Sequence, residues 1–217
     1  MKQKKSSKKP PRPRKTKILA IGDIHSDQTL IKKLANKAKK EKVDLVILAG
    51  DLTFAELSTK NIIGPFAKAG KEVLIIPGNH ESVSTINFLT EMYSNAKSIH
   101  GYYVIKNNIG IFGAGGGDIG IYRVGEDELY NLLERGKRGL DKSKIKKRIM
   151  VTHLQPANTT IEKIGGFRGS TGIRKAIEKF QPNIALCSHL HSTGGIEEKI
   201  GKTRLISVSR KEKIFEI

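Results

Sequence analysis

The sequence predicts an α/β protein built from two stacked β-sheets with helices on the outside. The first half of the chain alternates short apolar runs with amphipathic segments, which is typical of parallel strands joined by helices. The second half contains pairs of strand-like segments separated by tight turns, which indicates hairpins. A parallel unit followed by hairpins is expected to pack as two sheets covered by helices.

Three buried strands and their connecting helices are predicted in the first half. The strands are short runs of Ile, Leu and Val, and the first helix carries its apolar residues on one face. Gly64 and Pro65 should break the second helical region, and Ser82 or Ser84 is a suitable N-cap for the third. The predicted order is strand 17–21, helix 29–42, strand 43–49, one or two helices over 54–69, strand 72–76 and helix 84–93.

The second half is predicted to mix hairpins with a further parallel pair. Asn107 and Asn108 are expected to turn the first hairpin, and turns are expected at Gly201 and Arg210 near the end of the chain. The predicted order is strands 98–104 and 109–113, helix 126–138, strand 148–152, helix 171–180, strand 184–187 and a hairpin or meander over 196–217.

Charge divides the 217 residues into an arm and a domain. The formal net charge is +19, and residues 1–17 contain nine Lys or Arg and no acid. We expect residues 1–16 to be a disordered basic arm that contacts a polyanion, and residues 17–217 to form one domain. For the domain, nucleic acid, an anionic membrane or phosphorylated substrates are possible partners, and a solvated Lys-rich surface is an equally weighted alternative.

Several classes of protein are excluded by composition. The single cysteine, Cys187, rules out an intrachain disulfide and a metal site made of thiolates. No apolar run approaches the roughly 18 residues that a membrane-spanning helix needs. A cytoplasmic protein is the expected default, and the sequence does not predict an oligomeric state.

Residues of the types that commonly serve as metal ligands follow five of the predicted strands. Ends of buried strands are where α/β proteins build their sites, and side chains two apart on extended backbone point to the same side. A single carboxylate after the second strand could bridge two ions, which gives enough ligands for two four-ligand sites. The residues are Asp23 and His25, Asp51, Asn79 with His80, His153, and His189 with His191.

Taken singly, each residue has an ordinary explanation. Asp23 or Asn79 could occupy a turn, and His153 could be a buried core histidine. Their joint occurrence at strand ends favours a metal centre. Imidazole, carboxylate and amide ligands suit Mn, Fe, Zn, Co or Ni better than Ca or Mg.

The ordered motifs resemble those of the calcineurin-like metallophosphoesterases. They are Asp-x-His at 23–25, Gly-Asp at 50–51, Gly-Asn-His-Glu at 78–81, a separate His153 and Ser-His-Leu-His at 188–191. The resemblance extends over residues 17–217. The small size is similar to the compact branch of phosphodiesterase-like members without a cap domain.

This resemblance implies a four-layer αββα sandwich of two mixed sheets and a dinuclear hydrolase of phosphate esters, with a metal-bridging hydroxide as nucleophile. His80 would face the substrate as proton donor or phosphate stabiliser, and Mn²⁺ is the ion most expected to support activity in vitro. One ion would take Asp23, His25, Asp51 and His191, and the other Asp51, Asn79, His153 and His189.

Two departures from the family pattern have predicted consequences. Ser188 stands where the family usually has glycine, which we expect to displace His189 slightly. Some relatives carry an acid soon after the Gly-Asp motif to orient the catalytic histidine, but none follows Asp51 before Glu56. His80 is therefore predicted to lack a carboxylate partner.

The substrate is less well defined than the site. A phosphodiester is favoured, and a nucleotide or nucleic acid would match the basic surface. Arg168 is a candidate phosphate contact, with a plain surface arginine as the alternative. The spacing of Gly115, Gly117 and Gly120 resembles a dinucleotide-binding loop, but no helix follows at once. The rival functions are a nuclease and a non-catalytic scaffold of this fold, and the complete ligand set argues against the scaffold.

Overall fold

The computed structural model describes residues 15–217, so the predicted arm lies outside the described residues except for Lys15 and Thr16. Thr16 is buried, and its backbone exchanges hydrogen bonds of 3.1 Å with Ile217 in both directions. The start of the described chain and its end therefore meet at the same side of the molecule. No helix within the described range is long and apolar enough to cross a bilayer.

The first sheet has five strands in the order β11-β1-β2-β3-β4. Strands β1 to β4 run parallel, and β11 is antiparallel to β1. Strand β2 at the middle of the sheet is fully buried, as its continuous apolar sequence predicts. The strands are β1 Lys17–Ile21, β2 Leu45–Ala49, β3 Glu72–Ile76, β4 Ala96–Ser98 and β11 Lys213–Glu216.

The second sheet has six strands in the order β5-β6-β7-β8-β10-β9. Its four central strands are parallel, and an antiparallel strand closes each edge. Both sheets are therefore mixed. The strands are β5 Tyr103–Lys106, β6 Ile109–Ala114, β7 Lys147–Thr152, β8 Ile184–Cys187, β9 Glu197–Ile200 and β10 Thr203–Ser207.

Within residues 15–217, six α-helices flank the sheets, and a short 3₁₀ helix, His191–Thr193, follows β8. Their caps follow from sequence, since Asp27, Ser82, Thr159 and Ser170 each accept backbone N–H groups at a helix start. The helices are α1 Gln28–Lys40, α2 Gly64–Lys68, α3 Val83–Met92, α4 Glu126–Leu140, α5 Thr160–Gly165 and α6 Thr171–Phe180.

Three apolar layers confirm the predicted four-layer αββα sandwich. Alternate residues of β1 face opposite ways, so that Ile18 packs between the sheets and Leu19 packs under the helices. The layer between the sheets contains strand and strand-end residues of both sheets, such as Ile47 and Ile149. The outer layers are formed with α1 to α3 on one side and α4 to α6 on the other.

The helix predicted over 54–69 is wrong for its first ten residues. Only Gly64–Lys68 is helical, and residues 54–63 form turns in which Ala55, Glu56 and Asn61 have positive φ. The Glu56 carboxylate accepts hydrogen bonds from Ser82 at the start of α3. These long-range contacts and left-handed residues outweigh local helix propensity. Helix α5 was not predicted.

Two predicted strand segments change sheets. The strand predicted over 98–104 is wrong as one element, because β4 ends in the first sheet and β5 begins in the second, with Gly101 at φ 70° between them. The hairpin turned by Asn107 and Asn108 is confirmed, with φ of 50° and 63°. The predicted C-terminal meander is correct only for β9–β10, since after Arg210 the chain returns to the first sheet.

Candidate metal centre

The motif residues of both sheets meet at one edge, beyond the carboxyl ends of five parallel strands. Asp23, Asp51 and Asn79 follow strands of the first sheet, and His153 and His189 follow strands of the second. The two sheets present the same edge, which brings side chains distant in sequence within a few ångströms. This group contains all seven predicted ligands and His80. Besides the five residues just named, its members are His25, His80 and His191.

The backbone carrying these side chains is strained. Four of the predicted ligands have left-handed conformations, with φ of 55° at Asp23, 40° at His25, 51° at Asp51 and 72° at His189. Such conformations cost about 1 kcal/mol or more for a residue with a side chain, and they concentrate at functional sites. The turns direct the side chains back across the sheet edge instead of continuing the strands.

Asp51 lies at the middle of the cluster, with its two oxygens facing different partners. Its Oδ2 is 3.7 Å from His25 Nε2 and 3.9 Å from His80 Nε2. Its Oδ1 is 3.3 Å from Nε2 of the buried His153. Gly78 packs so close to the carboxylate that a Cβ there would overlap it. The carboxylate therefore faces ligand groups on two sides and is held by tight packing.

Ligand atoms gather on both sides of Asp51. On one side, Asp23, His25 and His191 could hold an ion, and the Nε2 atoms of the two histidines are 3.2 Å apart. On the other side, Asp51, His153 and His189 form a second such group. Asn79 Oδ1 lies 3.0 Å from His153 Nε2 and belongs to this second side.

Backbone carbonyls set the tautomers of two histidines. His25 Nδ1 lies 3.1 Å from the carbonyl of Thr53, and His153 Nδ1 lies 3.0 Å from the carbonyl of Ala49. A carbonyl can only accept, so each Nδ1 carries the hydrogen. The Nε2 atoms that face the cluster are thereby the ones left to bind a metal, as in metal sites whose histidines are oriented by a second hydrogen bond.

Asp23 provides a direct test of whether a cation fits. Its Oδ2 accepts hydrogen bonds from the hydroxyls of Ser188 and Ser209 and from the backbone N–H of His189. Its Oδ1 is buried and has no hydrogen-bond partner among the described residues, with His191 Nε2 3.7 Å away. A buried carboxylate oxygen without a partner is costly, and a cation bound by this residue set would satisfy it.

Ion pairing controls the titration of the cluster. Burial would raise the pKa of Asp23 and of Asp51, but neighbouring imidazoles, including His191 and His153, hold both pKa values below the ordinary carboxyl value. Burial also disfavours a charged His153, yet Asp51 and Asp23 raise the pKa of His153 to about 10. Burial and the neighbouring His153 lower the pKa of His189 to about 4. Binding of a divalent cation would replace the imidazolium charge and release its proton.

Comparison with known proteins identifies the family. Residues 16–193 match the model of the family described as calcineurin-like phosphoesterase. The chain belongs to the calcineurin-like phosphoesterases. This family uses divalent metal ions and acts on phosphate esters, and the Asp and His groups described above are those that could hold such ions.

One related sequence and two solved structures of the same fold are similar to this calcineurin-like phosphoesterase. The uncharacterized protein MJ1162 of Methanocaldococcus jannaschii is 30% identical over 207 residues, which cover 90% of this chain and 88% of that protein. The crystal structure of TT1561 from Thermus thermophilus has a TM-score of 0.74 at 15% identity and covers 94% and 99% of the two chains. A dimetal phosphatase from Danio rerio has a TM-score of 0.63 at 12% identity, with coverage of 88% and 86%.

In this phosphoesterase the backbone amide of Ala55 orients His80. The amide N–H donates to His80 Nδ1 over 3.3 Å, and Phe54 stacks on the imidazole with 5.2 Å between ring centroids. Glu56 contacts Ser82 and Thr85 and not His80, and a carboxylate that does approach the imidazole is Asp51, whose Oδ2 lies 3.9 Å from Nε2. Since Nδ1 accepts, the hydrogen of neutral His80 is on Nε2, the atom that faces Asp51.

Ser188 fits its position without a glycine-like backbone. The left-handed residue of this turn is His189, so the conformational reason for glycine at 188 does not apply. The Ser188 hydroxyl instead occupies the space above Gly22, where a Cβ would overlap it, and donates to Asp23.

Arg168 lies next to the centre and not among the predicted ligands. It is exposed, and its backbone carbonyl accepts a hydrogen bond from Gln155. It lines a cavity of about 480 Å³ together with His189 and His191. The glycines at 115, 117 and 120 form no dinucleotide loop, because Gly117 and Gly120 pack against Asn79 instead.

Sequence reasoning assigned no role to two residues that support the centre. Glu81 is fully buried, and its carboxylate accepts from the N–H groups of Gly78, Leu52 and Thr53. The position of Glu81 in the Gly-Asn-His-Glu motif could have indicated its role. No sequence pattern marks Ser209, because it reaches Asp23 from a connection 186 residues later in the chain.

Proposed function

We propose that this protein is a dinuclear metal-dependent phosphoesterase that prefers phosphodiesters. The observation that carries the proposal is the position of Asp51, whose Oδ2 faces His25 and whose Oδ1 faces His153. A carboxylate with both oxygens directed at separate ligand groups is suited to bridging two ions. The dimetal phosphatase from Danio rerio, which shares the fold, supports the choice of two.

The proposed ligands divide evenly around the bridge. Asp23, His25 and His191 would complete one site with Asp51, and the second site would use Asn79, His153 and His189. The orphaned Asp23 Oδ1 and the Nε2 atoms directed into the cluster support this assignment. Mn, Fe, Zn, Co and Ni suit this mixture of ligands, and Mn²⁺ is our choice for activity assays.

Two bound ions would polarise the phosphoryl oxygens and lower the pKa of a water held near them. The chain supplies a hydrogen-bond donor and holds it in position. His80 carries its hydrogen on Nε2, next to the proposed bridging carboxylate, so the neutral imidazole can donate a hydrogen bond to a phosphate oxygen or to the leaving oxygen as negative charge builds on it. Ala55 and Phe54 hold the imidazole in that orientation.

A diester is favoured because the chain offers two candidate sites for organic groups. One is the cavity lined by the proposed ligands His189 and His191. The other is a cleft lined by Ser26, the residue after the proposed ligand His25, together with Lys32 and Lys60. A phosphodiester bound at the centre would place one organic group in each.

The direct test is hydrolysis of bis-p-nitrophenyl phosphate with added Mn²⁺, and with chelator. We expect turnover that requires the metal, and about two ions bound per chain. Asp51→Asn removes the bridging charge, so both metal content and activity should fall together. The matched control is Asp127→Asn on the exposed start of α4, which should change neither. Absence of turnover with each of Mn, Fe, Zn, Co and Ni would contradict the enzyme proposal.

A nuclease is the second candidate, supported by Lys32 and Lys60, which line a cleft that includes Ser26 next to the proposed ligand His25, and by the net charge of +19. A basic groove tracks a nucleic acid backbone, and contacts to phosphates weaken steeply with salt. The nuclease is favoured if the protein cleaves single-stranded DNA or RNA and the rate falls sharply between low and physiological salt. The double variant Lys32→Gln, Lys60→Gln should then cleave more slowly. We also propose that the basic arm contacts a polyanion. Deleting residues 1–14 should then weaken the binding of single-stranded DNA or RNA to the protein.

A further inference from the structure

A mostly apolar cavity of about 480 Å³ opens directly onto the proposed metal centre. Its lining includes the two ligand histidines of the last motif and three apolar side chains from separate parts of the chain. The residues that matter here are Ile119, Phe167, Leu190, Arg168, His189 and His191. An organic group attached to a phosphate at the centre would enter this cavity.

Two of the apolar side chains are exposed to solvent to an unusual degree. Phe167 is 66% exposed and Ile119 is 57% exposed. They come from different loops, one after α5 and one between β6 and α4. Exposed apolar groups that converge on one cavity beside polar catalytic residues are typical of a binding site.

Both loops are anchored to the surroundings of the centre. The amide nitrogen of the fully buried Gln155 donates to the carbonyls of Phe167 and Arg168, each over 3.2 Å. The carbonyl of Asn79 accepts from the backbone N–H of Ile121 at 2.8 Å, which fixes the loop that carries Ile119. The exposed ring of Phe167 is therefore presented by a loop whose backbone is held in place.

We propose that this cavity binds a flat aromatic ring in the organic part of the phosphate ester, with Phe167 stacking on the ring; this inference rests on the proposed function. The lining of the cavity also includes charged and polar groups, among them Asp118 and Arg168. This mixture of apolar and polar lining suits a ring system with polar edges better than a long alkyl chain. The ring belongs either to a nucleobase or to a simple aryl group.

The test uses phosphonates, whose carbon–phosphorus bond a phosphoesterase does not hydrolyse. Phenylphosphonate, cyclohexylphosphonate and methylphosphonate share one head group and differ only in the organic group. Their binding to the metal-loaded, full-length protein is measured by calorimetry. We expect phenylphosphonate to bind more tightly than the other two, and Phe167→Ala to weaken it roughly 5- to 100-fold while leaving methylphosphonate unchanged.

The control is Phe88→Ala, which removes another exposed phenyl ring from a cleft that the metal centre does not line. It should bind all probes like the unchanged protein. The 5′-phosphonate analogue of thymidine separates the two ring sources: tighter binding than phenylphosphonate assigns a nucleobase, and weaker binding assigns a simple aryl group.

Equal binding of phenylphosphonate and methylphosphonate, in a protein that hydrolyses phosphate esters, would overturn the ring pocket alone. Tighter binding of cyclohexylphosphonate with the same dependence on Phe167 would overturn the aromatic assignment. If no probe binds and no ester is hydrolysed, the proposed function fails and the pocket fails with it.

Discussion

The hydroxyl of Ser188 donates a hydrogen bond to Oδ2 of Asp23, across 165 residues of sequence. Ser209 donates to the same oxygen over 2.5 Å, and both serines are fully buried. Together they occupy one side of the carboxylate and leave Oδ1 directed at the cluster. This arrangement orients a proposed metal ligand, as second hydrogen bonds do in other metal sites.

Replacing Ser188 and Ser209 with alanine should therefore weaken metal binding. We expect the dissociation constant for Mn²⁺ or Zn²⁺ to rise about 10- to 100-fold in the double variant, because the carboxylate loses two donors that fix it. Equilibrium dialysis of the purified protein measures this without reference to activity. Ser192→Ala, on an exposed residue of the same segment, is the control. Unchanged affinity in a folded double variant would show that these hydroxyls do not position Asp23.

Glu81 should contribute mainly to stability. Its two oxygens accept from Leu52, Gly78 and Thr53, and burial together with the Asp51 carboxylate raises the pKa of Glu81 to about 7. In Glu81→Gln an amide NH₂ must face an N–H donor, which we expect to lower the free energy of unfolding by about 1–3 kcal/mol. Urea unfolding measures the change. Glu56→Gln, on a largely exposed carboxylate, should cost clearly less, and a similar loss in both would contradict the special role of Glu81.

Local sequence was sufficient to predict the buried strands and the polar residues that follow them. The runs before Asp23, Asp51 and His153 are rich in Ile, Leu and Val, so their direction, burial and polar termini followed from pattern alone. Parallel strands bring their carboxyl ends to one edge, and this geometry is why the predicted ligands meet.

Long-range contacts explain what the sequence did not predict. Residues 54–63 were predicted as helix, but left-handed turns at Ala55 and Glu56 and the contact of Glu56 with Ser82 hold them as a loop. The hydrophobic pattern does not change where the chain passes from the first sheet to the second at Gly101, since apolar residues lie on both sides of this glycine. The hydrogen bond from Ser209 to Asp23 is likewise invisible until the second sheet is assembled.

His80 should affect turnover and not metal binding. Replacing His80 with alanine removes the proposed hydrogen-bond donor to the developing charge, and we expect kcat to fall about 10²- to 10³-fold. The loss should be greater for an alkyl leaving group than for p-nitrophenol, because the poorer leaving group carries more localised negative charge on its oxygen. Metal content, measured on the same sample, should remain at about two ions, as the proposed dinuclear centre requires. An equal loss for both leaving groups would assign His80 to stabilising the phosphate oxygens instead of the leaving oxygen.

His100 is a buried histidine outside the proposed centre. Its Nδ1 accepts from the backbone N–H of Gly115 at 3.0 Å, and its Nε2 lies 3.1 Å from the Tyr122 hydroxyl. Burial, together with the charge of Arg135, lowers the pKa of His100 from its ordinary value of 6.5 to about 4. These contacts join the segment before β5 to the loop that carries Ile119, which is a structural role.

This lowered pKa predicts how stability depends on pH. Between pH 6.5 and about 4 the unfolded chain takes up a proton at His100 that the folded protein does not. Stability therefore falls as the pH drops through this window, by about 1.4 kcal/mol per pH unit from this residue, and has no dependence on it above the window. His100→Asn keeps an acceptor for Gly115 but cannot titrate, so its unfolding free energy should decline less steeply over the same range. Parallel slopes in denaturant titrations of the two proteins at several pH values would show that His100 is protonated in the folded state.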